Sequence, residues 1–341
     1  MSPERADSSA SALLNLVEGH RTTAVIHAAA KLAIADLLFE GPKTAARLSH
    51  LTNTHEPSLL RLLRGLVVLA ICTETADGTF ALTEMGSHLA ASSERPLKGW
   101  VLFEGGMLRA RWGELIESIR TGKTADEVAG LGQERFEVIA KTKDAGLVNE
   151  AMASMTRSAI PELLAAYAFR DIRVLMDVGG GLGELIGAVL KKCPAMRGIV
   201  FDLPHCAEAA RKHLSDAGVS DRCEFIAGSF FDSLPLGSEA IIMKSIIHDW
   251  NDERCVRILH NCRRVLPRGA RLIVIDRVMP EKPEPNASNL SVVMSDLNML
   301  SGVGGCERTE GEFRDLLVKG GFRVECVVPA GRYCIIEASA E

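Results

Sequence analysis

The feature that most constrains this chain is a change of rhythm at Arg173. From there, short apolar runs follow one another: "RVLMDVG", "GIVFDLP", "CEFIAGSF", "AIIMKSI" and "RLIVIDRVM". Helix-like stretches such as "LGELIGAVLKKC", "CAEAARKHLSDAG" and "ERCVRILHNCRRVL" separate them. Strands alternating with helices predict an α/β fold with a parallel, doubly wound, Rossmann-like sheet. The last two runs, in "GFRVECVVPAGRYCIIEAS", are divided only by Pro329, Ala330 and Gly331. So short a link cannot make a parallel crossover, and this C-terminal hairpin is expected to run antiparallel.

The first hundred residues follow a different pattern. "ALLNLVEGHRTTAVIHAAAKLAIADLL" reads as one long helix from Ala12 to Leu38, stopped by Gly41-Pro42. A short helix over Thr44 to His50 and another from Pro57 to Ala70 follow. An alternating stretch then turns at Asp77-Gly78, a strong hairpin signal. Helix, helix, hairpin resembles a winged helix. Such a module can read DNA, but the would-be reading helix "PSLLRLLRGLVVLA" offers only Arg61 and Arg64 among leucines and valines. That is too little phosphate contact for a groove. The apolar first helix instead suggests a homodimer interface. Residues 1–99 are therefore expected to form a helical dimerisation domain. Residues 100–169 are read as bridging helices with a looser loop at "RTGKTADEVAGLG", and 170–341 as the α/β domain.

The 341 residues carry a formal charge of −5, with no basic block, which argues against a nucleic-acid partner. No run approaches the ~20 apolar residues that span a bilayer. The polar start "MSPERADSSASALL" carries no signal core, so a cytoplasmic location is expected. The nine cysteines form no C-x-x-C pair, and reduced, buried thiols without zinc are expected.

In a doubly wound sheet the ligand lies beyond the carboxyl ends of the strands, so the loop in "LMDVGGGLGEL" is its natural contact. A dinucleotide fingerprint beginning at Gly179 would need a third glycine at position 184, where Glu184 stands. The loop has Gly179, Gly181 and Gly183, with Asp177 placed at the mouth. A carboxylate there repels a pyrophosphate and suits the ammonium of a methionine moiety. The loop taken alone is also compatible with a plain strand-to-helix turn. Asp202, ending the second strand, can accept both hydroxyls of a ribose. Dehydrogenases do the same, so Asp202 indicates an adenosine-type cofactor without deciding which. Gly228, Ser229 and Phe230, in "AGSFFDSLP", would sit over the adenine.

"KSIIHDWNDERCVRIL", taken with "LMDVGGGLG", "VFDLP", "FFDSLP" and "LNMLSGVGGCERTEGEF", resembles the small-molecule O-methyltransferases that use S-adenosyl-L-methionine. The caffeate, flavonoid and hydroxyindole enzymes belong to that family, with bacterial relatives of secondary metabolism. The resemblance covers nearly the whole chain and implies the reversed C-terminal hairpin and the N-terminal dimerisation domain. It makes His248 the general base, with Asp276 and Glu307 flanking and orienting it. It places the cofactor on Gly179, Gly181, Asp202, Ser229, Phe230, Lys244 and Ser245. It places a small aromatic hydroxyl substrate against Met152, Asn298 and Met299, and Asp249 joins these as a substrate contact. Ser229 and Asp276 depart from the acidic residues usual in the family, aspartate and glutamate. The shorter Asp276 puts its contact to His248 in question.

On chemistry alone, His248 could instead be a packed residue at a strand lip, with Asn251 or Asp252 capping the next helix. A metal held by His248, Asp249 and Asp252 is disfavoured, since near-adjacent residues rarely converge on one ion. His27, His205 and His260 lie on ordinary helical or turn patterns. "NMLSGVGGCERT" reads as a loop that walls the pocket. Other readings of the chain are an N- or C-methyltransferase on the same fold, or a winged-helix DNA-binding sensor.

Overall fold

The computed structural model describes residues 3–130 and 145–341. Part of the stretch read as bridging helices, 131–144, lies outside the described residues. The chain forms two compact units, Met1–Ala110 with Glu150–Met155, and Arg111–Asn149 with Thr156–Glu341. The stretch 100–169 is thus divided between them.

In the first unit the expected single helix is broken. One helix runs Pro3–Lys31 and a second Ile34–Phe39, with Ala33 between them in the left-handed region at φ 54°. The break lets Ile34, Ala35 and Leu38 all turn into the core. Helices Ala45–Thr52 and Glu56–Val68 follow, the former capped by Thr44, whose hydroxyl accepts from Arg47 N. Strand β1 (Lys43–Thr44) pairs with the hairpin of β2 (Cys72–Glu74) and β3 (Thr79–Leu82) in the order β1-β3-β2. The Glu56–Val68 helix buries Leu59, Leu63 and Leu66, so its apolar face serves this unit's own core.

The second unit is built on a seven-stranded sheet. Its strands are β4 (Val174–Val178), β5 (Arg197–Asp202), β6 (Cys223–Ala227), β7 (Ala240–Lys244), β8 (Arg271–Asp276), β11 (Phe322–Ala330) and β12 (Tyr333–Ala340). The spatial order is β11-β12-β8-β7-β4-β5-β6. Strands β4 to β8 pair in parallel, and β12 lies antiparallel to both β8 and β11. Alternate side chains divide between the two faces, as a strand's period of two requires. Leu175, Ile242 and Ile273 enter one core, while Met176, Ile241, Met243 and Val274 enter the other.

The strand order reverses beside β4, whose neighbours are β5 and β7. That reversal opens a crevice beyond the carboxyl ends of β4 and β7. A further parallel pair, β9 (Val278–Met279) with β10 (Arg308–Thr309), brings the chain after β8 beside the E-R-T segment.

The sequence expectation of a loop at Asn298 and Met299 is corrected. Both lie on a helix, Ala287–Gly302, whose N-cap Asn286 accepts from Asn289 N. Among the described residues no helix is long and apolar enough to cross a membrane.

Candidate active site

The glycine loop leaves β4 and enters the helix Glu184–Lys192. Gly179 stands at φ 71°, and a Cβ there would lie 2.3 Å from Ile246 Cδ1 and 3.7 Å from Phe230 Cε1. Only glycine fits that backbone and that closeness. Around Gly181 there is open space where a Cβ would be, so a ligand can approach its main chain.

Asp202 ends β5 with its carboxylate aimed at this loop. Oδ2 accepts from Gly181 N at 2.7 Å and Oδ1 from Leu203 N at 2.6 Å. Each oxygen keeps a second acceptor position, enough for two vicinal hydroxyls. Burial raises the Asp202 carboxyl against the opposing pull of these two N–H groups.

Asp177 is a correction. The sequence placed it at the mouth, but it is only 2% exposed, paired in register with Val200 and Ile242 beneath the loop. Its carboxyl is pushed up to about 7, first by burial and then by the charge of Asp202. It supports the loop from below.

Beyond β6, Gly228 lies against Phe201, whose ring atoms would stand 2.6 Å from a Cβ. Ser229 Oγ accepts from Phe231 N at 3.2 Å, which tightens the turn. Phe230 packs edge-on to Trp250 at 6.0 Å between centroids. At the end of β7, Lys244 lies 4.6 Å over the Tyr333 ring and donates to Ser245 Oγ at 3.2 Å. Ser245 takes φ 56°, a sharp turn that leads straight into Ile247–Asp249.

His248 sits on that turn and is 8% exposed. Its Nδ1 donates to Glu307 Oε1 at 3.0 Å. A carboxylate accepts only, so the neutral ring carries its lone pair on Nε2. Asp249 Oδ1 stands 3.6 Å from Nε2. Asp276, at the end of β8, reaches only to 4.0 Å from Nδ1. Neither Asp276 oxygen makes a hydrogen bond among the described residues. Its expected orienting contact is therefore electrostatic, because one fewer methylene leaves the carboxylate short of hydrogen-bond range.

Burial alone would lower the affinity of His248 for its proton. Asp276, Glu307 and Asp249 outweigh that effect and push the ring up to about 10. Asp276 is itself pushed up to about 7, first by burial, against the pull of His248. Burial also works against the charge of Glu307. There His248 and the Ser295 hydroxyl win and hold the carboxyl below its usual range.

Three supports of this cluster escaped the sequence reading. Arg308, 2% exposed, donates to Ile247 O at 3.1 Å, Trp250 O at 2.9 Å and Asp252 Oδ1 at 2.8 Å. It clamps the His248 turn from behind. Gly305 presses on the same turn, where a Cβ would fall 2.0 Å from His248 O. Ser295 Oγ donates to Glu307 Oε1 at 2.6 Å. The E-R-T motif and its paired glycines carried the signal for the first two, and nothing local marked Ser295. Asn251 caps the next helix by accepting from Arg254 N, as expected.

Met299 is buried and Asn298 half-buried on the Ala287–Gly302 helix. Met152 belongs to the first unit and is 41% exposed.

The fold is that of the Rossmann-like methyltransferase class, and its crevice carries a buried acid at the end of β5 and a carboxylate-backed imidazole beyond β7. Residues 112–323 match the O-methyltransferase domain family and residues 14–92 the O-methyltransferase dimerisation domain. The chain belongs to the O-methyltransferase family and is an S-adenosylmethionine-dependent O-methyltransferase. It is 36% identical to phenazine O-methyltransferase PhzM of Lysobacter antibioticus over 330 residues, 96% of this chain and 95% of that protein. The crystal structure of LaPhzM superposes with a TM-score of 0.91 at 35% identity, covering 97% of this chain and 99% of that one. The NcsB1 O-methyltransferase of neocarzinostatin biosynthesis, solved with S-adenosylmethionine and 2-hydroxy-5-methyl naphthoic acid, gives 0.76 at 30% identity, covering 94% and 96%.

Proposed function

We propose that this enzyme moves a methyl group onto a hydroxyl of a small aromatic metabolite, with His248 as the general base. One observation carries the reading: His248 Nδ1 is fixed on Glu307 at 3.0 Å, which turns the Nε2 lone pair toward whatever lies beyond β7. The similarity to an enzyme named for phenazine and to one solved with a naphthoic acid supports an aromatic acceptor.

The cofactor would be held by the Gly179 and Gly181 main chain, by the Asp202 carboxylate on the ribose, and by Gly228, Ser229 and Phe230 around the adenine. Lys244 and Ser245 would close its methionine end. When bound, it supplies an electrophilic methyl on a cationic sulfur. The protein must then align the acceptor oxygen and take its proton. Phenols titrate near ~10 and an ordinary imidazole near ~6.5, and the charges of Asp276, Glu307 and Asp249 raise His248 against the opposing effect of burial. Its carboxylates narrow the gap to the phenol and make the imidazole a better acceptor for that proton. Glu307 by a hydrogen bond and Asp276 by its charge hold the imidazolium that forms. A cationic ligand alongside opposes the proton on the empty-site imidazole and so frees the base. Asp249, beside Nε2, would orient the acceptor hydroxyl, and Asn298 and Met299 would wall it. Alignment of the reacting atoms supplies much of the remaining rate.

The enzyme would work in the cytoplasm as a homodimer and without nucleic acid. The dimerisation-domain match and the exposed row Leu13, Leu14, Leu16 and Val17 support the dimer.

The test is His248→Ala, assayed by mass gain of one methyl on a panel of phenols and arylamines, with cofactor affinity by calorimetry. Turnover of the best phenol should fall at least ~10²-fold with cofactor binding nearly intact. Unchanged turnover would remove His248 as the base, and methylation of amines alone would move the acceptor from oxygen to nitrogen.

A further inference from the structure

We propose that Ser295 is a positioning residue that tunes the base, because its hydroxyl and the His248 ring share a single oxygen of Glu307. The inference rests on the reading of His248 as the base. Ser295 Oγ lies 2.6 Å and His248 Nδ1 3.0 Å from Glu307 Oε1. The second oxygen, Oε2, is buried and accepts from nothing among the described residues. Among the described residues, all hydrogen bonding of this carboxylate therefore falls on one atom.

Two donors on one oxygen are in competition. A hydroxyl bonded to a carboxylate draws on its negative charge and weakens its hold on the other donor. The serine thus limits how strongly Glu307 retains the imidazolium. It also fixes which carboxylate oxygen meets the ring, since the bare Oε2 would otherwise be an equal partner.

The charged groups around the pair come from several elements. Asp249 lies on the same turn as His248, and Asp276 faces it from the end of β8. Lys244 acts on Asp276, and Tyr333 on β12 feels the charge of His248. Arg277 acts on Glu307 and Asp296 lies beside it, with Glu312 beyond. Of the described residues, only His248 and Ser295 bond to Oε1.

The grip extends to the main chain. Glu307 N donates to Asp296 Oδ1 at 2.9 Å, so consecutive residues of one helix hold both the side chain and the backbone of Glu307. Met299 stands four residues beyond Ser295, on the same face of that helix. The helix that would wall the acceptor is also the helix that holds the partner of the base.

Ser295→Ala tests this. The acidic limb of kcat/KM should move to higher pH by about half a unit to one, a roughly three- to tenfold tighter hold on the proton. The titration of His248, followed by NMR with 15N-labelled histidine, should move the same way. Ser295→Thr keeps the hydroxyl and should restore the wild-type profile. Ser295→Ala placed in Glu307→Gln should add no further movement, since the serine acts through Glu307. A limb and titration unmoved by Ser295→Ala would overturn the proposal, as would an equal movement in both backgrounds. Should His248→Ala keep full turnover, the base reading fails, while the NMR titration still decides whether Ser295 governs the ring.

Discussion

Replacing Glu307 by glutamine keeps the shape of the side chain and removes its charge. The wild-type contact is a 3.0 Å hydrogen bond between a carboxylate and a ring that becomes charged. A bond of that kind is worth about 1.5–3 kcal/mol net. At 1.36 kcal/mol for each pH unit, its loss lowers the proton affinity of His248 by about one to two pH units. With saturating cofactor the acidic limb of kcat/KM reports the cofactor-bound enzyme before the acceptor binds, and it should move down from its wild-type position by that amount. The plateau should also fall, because a glutamine can present either oxygen or nitrogen to Nδ1 and no longer fixes the tautomer. The assay is kcat/KM across pH 6 to about 10.5 with saturating cofactor, checked by 15N histidine NMR. Asp276→Asn serves as the comparison. It leaves the hydrogen bond in place and moves the limb down by charge alone, in the range above about 7 where that carboxyl is ionised. A limb that stays put or climbs in Glu307→Gln would refute the assignment of Glu307 as the partner that sets the basicity of His248.

The same linkage reaches stability. His248 is raised above its unfolded value, so its contribution is complete below about pH 6.5 and is lost as pH rises through about 10. Glu307→Gln should therefore lower Tm more at pH 6.5 than near pH 10, measured by thermal denaturation. Asp202→Asn should weaken cofactor binding about 10- to 100-fold by calorimetry, with turnover at saturating cofactor changed far less. Gly305→Ala puts a methyl 2.0 Å from His248 O. It should displace the His248 turn, cost about 1–3 kcal/mol in denaturant unfolding and depress kcat more than cofactor affinity.

The strands and the motif-borne residues could be read from the chain because they obey local rules. Buried parallel strands show as apolar runs, and the reversed hairpin follows from its short link. Other features needed the assembled fold. The break at Ala33 places a residue with good helix propensity in a left-handed turn, just ahead of the buried Ile34, Ala35 and Leu38. The helix from Ala287 was hidden by its Asn- and Ser-rich sequence, which reads as loop until Asn286 is seen capping it. Asp177 looked like a mouth residue from its spacing to the glycines. The register with Val200 and Ile242 shows why it lies beneath them. Arg308 is visible as part of a motif but not as a clamp, since its acceptors lie far along the chain, 61 positions away at Ile247 and 58 at Trp250. The role of Ser295 depends on one oxygen of one glutamate, and no pattern in the chain encodes that.

The contact between His248 and Glu307 joins residues 59 positions apart. Everything proposed to grip the donor, from Gly179 to Ser245, leaves the ribosome before Asp276 and Glu307, the two carboxylates on the Nδ1 side of the imidazole. Since synthesis releases the chain from its amino end, a nascent protein stalled near residue 250 holds the residues for the donor but lacks the means to activate an acceptor. Acceptor activation by His248, as proposed, therefore waits on the segment that brings in Asp276 and Glu307.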